Sequence, residues 1–170
     1  TYHNNRAQIF LAYQLQPDDS KEPGCNRQTE QPYLVCLGLN SLESNLDSIN
    51  RQPFNYRARL AAGNSAFNLG LNESAVREYS VAVSMVPNAF RARTFLAESQ
   101  INVGLYALAL ENLDHSLKIT GDSSESSFAL FLKGLAQYEL GNFDDAEETL
   151  KQEIRLSHMH STSESLGLLR

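Results

Sequence analysis

The sequence predicts an all-α protein built from stacked helical hairpins. The triplet Arg-Ala-Arg at 57–59 recurs 34 residues later at 91–93, and Gly70 recurs as Gly104 at the same spacing. Apolar residues follow helical spacing on both sides of each glycine, so each unit contains two amphipathic helices. A fixed repeat of this length is typical of helical-hairpin stacks, in which each hairpin buries its apolar face against its neighbours.

The first hairpin is predicted over residues 54–88. Gly70 falls where the first helix must end, a place that often needs a left-handed backbone. Pro87 ends the second helix because proline cannot continue one. The apolar positions of the two helices are Leu60, Ala62, Ala66 and Leu69, then Ala75, Tyr79, Ala82 and Val86.

Two further hairpins are predicted over residues 89–122 and 123–158. Gly141 follows Gly104 by 37 residues, three more than the first spacing. The surplus falls in the polar stretch Asp122–Ser126, which we interpret as a loop between hairpins.

The flanks are predicted to be helical extensions. Residues 1–53 should contain a helix at Asn5–Leu15, a polar loop at Gln16–Gln31 and a helix at Cys36–Asn50, the last as half of a degenerate hairpin. At the other end, Ser161–Glu164 has the pattern of a capping box, so residues 159–170 should begin a capping or further helix.

These hairpins resemble the tetratricopeptide repeat. Counted from Tyr56, the first hairpin carries the residues expected at six positions of that repeat, namely Gly63, Gly70, Ala75, Tyr79, Ala82 and Pro87. The later hairpins keep the small residues and the turn glycine, namely Ala97, Gly104 and Ala109, then Gly134, Gly141 and Ala146. The resemblance covers residues 54–157 and implies a right-handed α-solenoid that binds proteins.

Composition and motifs argue against several other functions. The chain has 14 basic and 20 acidic residues, a net charge of −6, so a nucleic-acid partner is not expected. No apolar run is long enough for direct membrane insertion. No G-x-S-x-G, P-loop or G-x-G-x-x-G motif occurs, so we expect no catalysis and no cofactor. The acidic residues at 144–148 suit the first turns of a helix, where they complement its dipole.

The histidines do not predict a metal site. His158 and His160 are two residues apart, and side chains at that spacing point to different faces of a helix. We therefore place them in a solvated loop between repeats, with His115 in the preceding hairpin. His3 is the only histidine of the N-terminal half, too few to complete a zinc site with two cysteines.

Cys25 and Cys36 are predicted to form a disulfide. The bridge would tie the polar loop to the first long helix. It would stabilise the folded protein by about 3 kcal/mol, because it lowers the conformational entropy of the unfolded chain. It would also place the protein in an oxidising compartment, periplasmic or extracytoplasmic. The alternative is two reduced thiols and a cytoplasmic location.

The resemblance also implies a ligand-binding groove lined by the first helix of each hairpin. Its contact positions carry over to Arg57, Leu60, Asn64, Phe67 and Asn68, then Arg91, Thr94, Glu98, Ile101 and Asn102, then Phe128, Phe131, Leu135, Tyr138 and Glu139. From these we predict a polar strip of Arg57, Asn64, Asn68, Arg91 and Asn102, with Phe131 and Tyr138 as an apolar anchor. A clamp for a C-terminal carboxylate does not match, because Leu60 and Phe95 stand at its positions.

The predicted function is therefore a non-catalytic scaffold. Its partner would be another protein or an extended peptide, and the oxidising compartment that the disulfide implies suggests a bacterial envelope assembly. The alternative is an extracytoplasmic sensory domain of a membrane-bound regulator, since bacterial envelope proteins that resemble this chain often carry such repeats beside a membrane span.

Arg59 and Arg93 occupy positions where the family usually has packing residues, so their stems are expected to lie along a neighbouring helix.

Overall fold

The computed structural model describes residues 30–121, 123 and 125–167, and the side chains of 35–121, 123 and 125–159. Within these ranges the chain is all-α, with no strand, and has the architecture of a tetratricopeptide-like α-solenoid. Its helices are α1 (Glu30–Arg51), α2 (Tyr56–Asn68), α3 (Asn72–Met85), α4 (Phe90–Asn102), α5 (Tyr106–Thr120), α6 (Ser126–Glu139) and α7 (Phe143–Gly167). The helix predicted at Asn5–Leu15 lies outside the described residues.

The helices fall into two compact units that divide between Met85 and Val86. In the first unit α2 packs against both α1 and α3. Ile49, Ala58 and Ala62 form a buried cluster at the contact of α1 with α2. Helix α1 begins at Glu30, so the last two residues of the predicted loop are helical. Pro32 permits this early start, because the first turn of a helix has no intrahelical partner for its N–H groups.

The hairpin of α2 and α3 depends on a close approach at Gly63. A Cβ atom on Gly63 would lie 2.5 Å from Cε1 of Tyr79, closer than van der Waals contact permits. Tyr79 is almost fully buried there. The small residue at the eighth repeat position therefore makes room for the aromatic ring of the facing helix, as the repeat pattern predicts.

The turn inside each hairpin is built in the same way. Gly70, Gly104 and Gly141 have φ angles of 72°, 79° and 80°, in the left-handed region predicted for them. In each turn the N–H after the glycine donates to a carbonyl five residues earlier. These bonds are Leu71 to Ala66 at 2.8 Å, Leu105 to Gln100 at 2.8 Å and Asn142 to Gln137 at 2.9 Å. They satisfy carbonyl groups that the helix end leaves without partners.

The second unit contains α4 to α7, and each helix packs against the next. Its core consists of Ala97, Ile101, Ala109, Leu113, Ala129, Leu132 and Ala136. Gly134 repeats the close approach of the first hairpin, since a Cβ atom on it would lie 2.6 Å from Cγ of Leu150. Helix α5 ends at Thr120 and α6 begins at Ser126, so Ser126, the last residue of the predicted loop, is helical.

The C-terminal part differs from the sequence-based expectation. Helix α7 runs to Gly167 without a break. Residues 159–167 therefore continue α7 and do not begin a separate helix at Ser161, and the loop placement of His158 and His160 was wrong. The physical reason is that no proline or glycine lies between Phe143 and Leu166 to end the helix. Asp144 and Asp145 do lie in the first turn, where they complement the helix dipole as expected.

Candidate functional site

Helix α2 carries three predicted contact residues, Arg57, Asn64 and Asn68, and all three are exposed. The helix begins at its place because Oδ1 of Asn55 accepts a hydrogen bond from the N–H of Ala58 at 3.1 Å. Asn64 already has a structural task, since its Oδ1 accepts the hydroxyl of Tyr79 at 2.7 Å. Its amide nitrogen is therefore the part that could donate to a ligand.

Helix α4 carries Arg91 near its start and Asn102 at its end, and both are exposed. Nη2 of Arg91 lies 2.9 Å from Oε1 of Glu125, just before α6. The Arg91 guanidinium also lies 5.6 Å from the centre of the Phe90 ring. Arg91 is thus half of a solvent-exposed ion pair, which a ligand carboxylate would have to open.

Two groove positions carried over from the repeat do not reach the surface. Thr94 is buried, and its hydroxyl bonds the Phe90 carbonyl at 3.0 Å and the Ser116 hydroxyl at 2.9 Å. Ile101 belongs to the core of the second unit. The expectation of ligand contact at these two residues is therefore wrong. α5 supplies Thr94 with a polar partner, and the apolar core covers Ile101.

Helix α6 exposes a row of large apolar side chains on one face. Phe128, Phe131 and Tyr138 are 44%, 48% and 58% exposed, and Leu135 lies half-buried among them. Phe143, at the start of α7, extends the row because its ring meets that of Tyr138 edge to face at 5.3 Å. We call Phe128, Phe131, Leu135, Tyr138 and Phe143 the aromatic surface.

Phe143 was not predicted from the sequence to belong to this surface. The signal was its place two residues after Gly141, where the hairpin turn brings the start of one helix beside the end of the other. Phe54, 91% exposed just before α2, was missed as well. It lines a shallow depression with Arg57 at the start of that helix.

Arg59 and Arg93 are structural, as their repeat position indicates. Nη1 of Arg59 lies 2.7 Å from Oε2 of Glu78 on α3. Nη1 of Arg93 donates to Oδ1 of Asn112 on α5 at 3.0 Å, and its Nε donates to the Pro87 carbonyl at 2.7 Å. Both side chains therefore lie against the second helix of their own hairpin.

The structure offers no metal site in its described part. No three histidine, cysteine, aspartate or glutamate side chains of that part are grouped to hold an ion. Cys36 lies half-buried on α1, whereas Cys25 lies outside the described residues, so the disulfide stays a prediction. None of the described helices is both long and apolar enough to cross a membrane.

Comparison with known proteins supports the fold. No family model and no curated protein matches the sequence. Solved structures of MamA, a tetratricopeptide-like solenoid, do match the structure. A crystal structure of MamA is 17% identical, with a TM-score of 0.69 over 78% of this chain and 76% of MamA. The structure called MamA MSR-1 C2 is 14% identical, with a TM-score of 0.66 over 94% and 93%.

A third match comes from Desulfovibrio magneticus RS-1. Its MamA, from residue 41 to the end, is 16% identical to this chain, with a TM-score of 0.65 over 91% of this chain and 75% of that one. At these identities the likeness concerns the fold, which is the one that the repeat pattern predicts.

Proposed function

We propose that this protein is a non-catalytic scaffold that binds a partner protein or an extended peptide along the first helices of its hairpins. The aromatic surface carries this proposal. Four of its five side chains are exposed, and they lie on one face of α6 and at the adjoining start of α7. Large apolar side chains exposed together in this way are typical of a protein-interaction site.

The polar strip supplies the second part of the proposal. Arg57, Asn68, Arg91 and Asn102 are exposed on α2 and α4, and Asn64 keeps a donor for a ligand. Asparagine amides can pair with the backbone groups of an extended peptide, while guanidinium groups favour its carboxylates. The MamA structures share this tetratricopeptide-like fold.

We place the scaffold in a bacterial envelope assembly, on the periplasmic side. This location depends on the predicted bridge between Cys25 and Cys36, which needs an oxidising compartment. The alternative function is an extracytoplasmic sensory domain of a membrane-bound regulator. A gene product that joins this chain to a membrane helix and a DNA-binding or signalling domain would favour the sensor.

Affinity capture from the native source tests the scaffold proposal. Wild-type protein should capture a defined partner, and Phe131→Ala with Tyr138→Ala should lose it while the circular-dichroism spectrum stays unchanged. The matched control is Leu108→Ala with Ile119→Ala, which removes two exposed apolar side chains from α5. Capture that is lost equally in both double variants, or in neither, would contradict binding at the aromatic surface.

A second pair of substitutions tests the polar strip. Arg57→Ala with Arg91→Ala should weaken the captured complex by about 1 kcal/mol or more, with a larger effect at low salt. The Arg91 guanidinium must break its ion pair with Glu125 before it can bind a ligand carboxylate. Glu125→Gln should therefore strengthen the binding of a partner that contacts Arg91. Wild-type affinity in the arginine double variant, together with loss in the α6 variant, would confine the site to the aromatic surface.

A further inference from the structure

The aromatic surface ends beside the carboxylate of Glu139, whose negative charge does not stabilise its own helix. Glu139 is the last residue of α6 and is exposed. Among the described residues it has no ion-pair partner. A negative charge at this end of a helix is unfavourable, because the dipole is negative there. Its neighbour Tyr138 is the most exposed aromatic residue of α6.

Two more carboxylates lie at the same end of the surface. Asp144 and Asp145 follow Phe143 directly, are exposed and lack ion-pair partners in the described part of the chain. The start of α7 favours their negative charge. The helix dipole thus stabilises the negative charge of these two carboxylates in the turn of α7 that begins with Phe143.

A fourth carboxylate lies on the neighbouring first helix. Glu98 of α4 is half-buried, and burial raises the pKa of its carboxyl. Helix α4 contacts α6, and Glu98 has the repeat position that Leu135 has in the next hairpin. The equivalent repeat position on the neighbouring first helix therefore also carries a carboxyl group.

We propose that the aromatic surface binds a basic peptide segment in which an apolar side chain lies next to lysine or arginine residues. This inference rests on the proposed function and specifies the chemistry of the partner. The apolar side chain packs on Phe128, Phe131 and Leu135. The basic residues lie against the rings of Tyr138 and Phe143, with their charged ends at Glu139 and Asp144. Exposed ring faces and carboxylates both attract cations, and the aliphatic stems of lysine and arginine cover apolar surface.

The preference for a basic ligand distinguishes this surface from the start of α4. There the exposed carboxylate, Glu125, already has Arg91 as its cation. At the end of α6 no cation of the described residues pairs with Glu139, so its carboxylate is available to a basic partner. Charge complementarity therefore selects a basic segment over an acidic one.

The test uses a displayed library of random peptides as the probe and the full chain as the target. Selected peptides are synthesised, and their affinity is measured by fluorescence anisotropy at two salt concentrations. We expect selected peptides to combine lysine or arginine with aliphatic or aromatic residues. Glu139→Lys should weaken their binding about fivefold or more, and more strongly at low salt. Glu111→Lys on α5, an exposed position with the same change of charge, should have little effect.

The outcomes separate the inference from the proposed function. Acidic or neutral peptides that need Phe131 and Tyr138 but tolerate Glu139→Lys would overturn the inference and keep the binding surface. Peptides that bind the Phe131→Ala, Tyr138→Ala variant as well as wild type would overturn both, whereas a library without binders would overturn the inference alone. A chain whose own self-association disappears in that variant would assign the surface to a second copy and also reject the basic peptide.

Discussion

Arg59 reaches across the first hairpin to Glu78, with 2.7 Å between Nη1 and Oε2. In the next hairpin Arg93 makes the corresponding contact to Asn112 at 3.0 Å. Both the arginine and its acceptor recur at a spacing of 34 residues. The two contacts are therefore one feature of the repeat, which joins the first helix to the second and excludes these two arginines from ligand binding.

This equivalence predicts a graded response at position 78. Glu78→Ala should lower the free energy of unfolding by about 1–3 kcal/mol, because the largely buried guanidinium of Arg59 loses its acceptor. Glu78→Asn should cost clearly less, since an asparagine serves as acceptor at the same position in the second hairpin. Urea unfolding measures both, with Glu111→Ala as the exposed control. Equal losses for alanine and asparagine would mean that the two contacts are not equivalent.

A second prediction concerns the small residues where the helices of a hairpin cross. Ala75 and Ala109 have no exposed surface. Ala109→Leu and Ala75→Leu should each overpack this contact and lower the free energy of unfolding by about 1–3 kcal/mol. Ala107→Leu on the exposed side of α5 is the control for the change of residue type. Melting temperatures equal to wild type in both buried variants would show that the repeat register is misassigned.

The predicted bridge between Cys25 and Cys36 can be checked by thiol titration. Protein purified from its native compartment should react with a thiol reagent only after reduction, and two thiols should then appear. Reduction should also lower the melting temperature, because the loop closed by the bridge regains its freedom in the unfolded chain. Two thiols that react before reduction would contradict the bridge and remove the support for an oxidising compartment.

Glu98 predicts a pH dependence of stability. Its pKa in the folded protein is raised above the ordinary 4.5 by burial, so the folded state favours the protonated carboxyl. That favourable contribution is complete below the ordinary pKa and is lost as the pH rises through the folded-state pKa. Glu98→Gln should therefore be more stable than wild type at neutral pH, and the difference should vanish in acid.

Unfolding by urea at neutral pH and at about pH 4 measures this difference. The control is Glu111→Gln, whose exposed carboxylate should give no such change. A glutamine variant that is less stable than wild type at neutral pH would mean that the Glu98 carboxylate has a favourable partner.

The hairpins could be predicted from sequence because their signals are local. Gly70 and Gly104 mark turns because the left-handed backbone of these turns favours glycine. Pro87 marks a helix end because proline has no N–H group to donate to the helix. Gly63 and Ala109 follow from the repeat because only small residues fit between crossing helices. In each case one residue type satisfies one steric requirement, so the sequence alone identifies the position.

The candidate site was less predictable because its properties depend on pairs of residues from different helices. Arg91 was predicted as a ligand contact, but Glu125 already forms an ion pair with it. Thr94 carries a polar side chain at a groove position, yet it is buried and its hydroxyl forms a hydrogen bond with that of Ser116. Neither partner is marked by its own sequence context, since each is a common polar residue on a helix or before one.

The turns inside the hairpins are alike, which implies that the chain tolerates changes of length in the connections between hairpins and not in the turns within them. A residue inserted between Leu105 and Tyr106 would turn α5 by about 100° around its axis and carry Leu113 out of the core. A residue inserted after Gly121 would fall in the connection between hairpins that already holds three extra residues. It would leave the apolar faces of both flanking helices directed at the core. Lengthened relatives of this protein should therefore differ between hairpins and not within them.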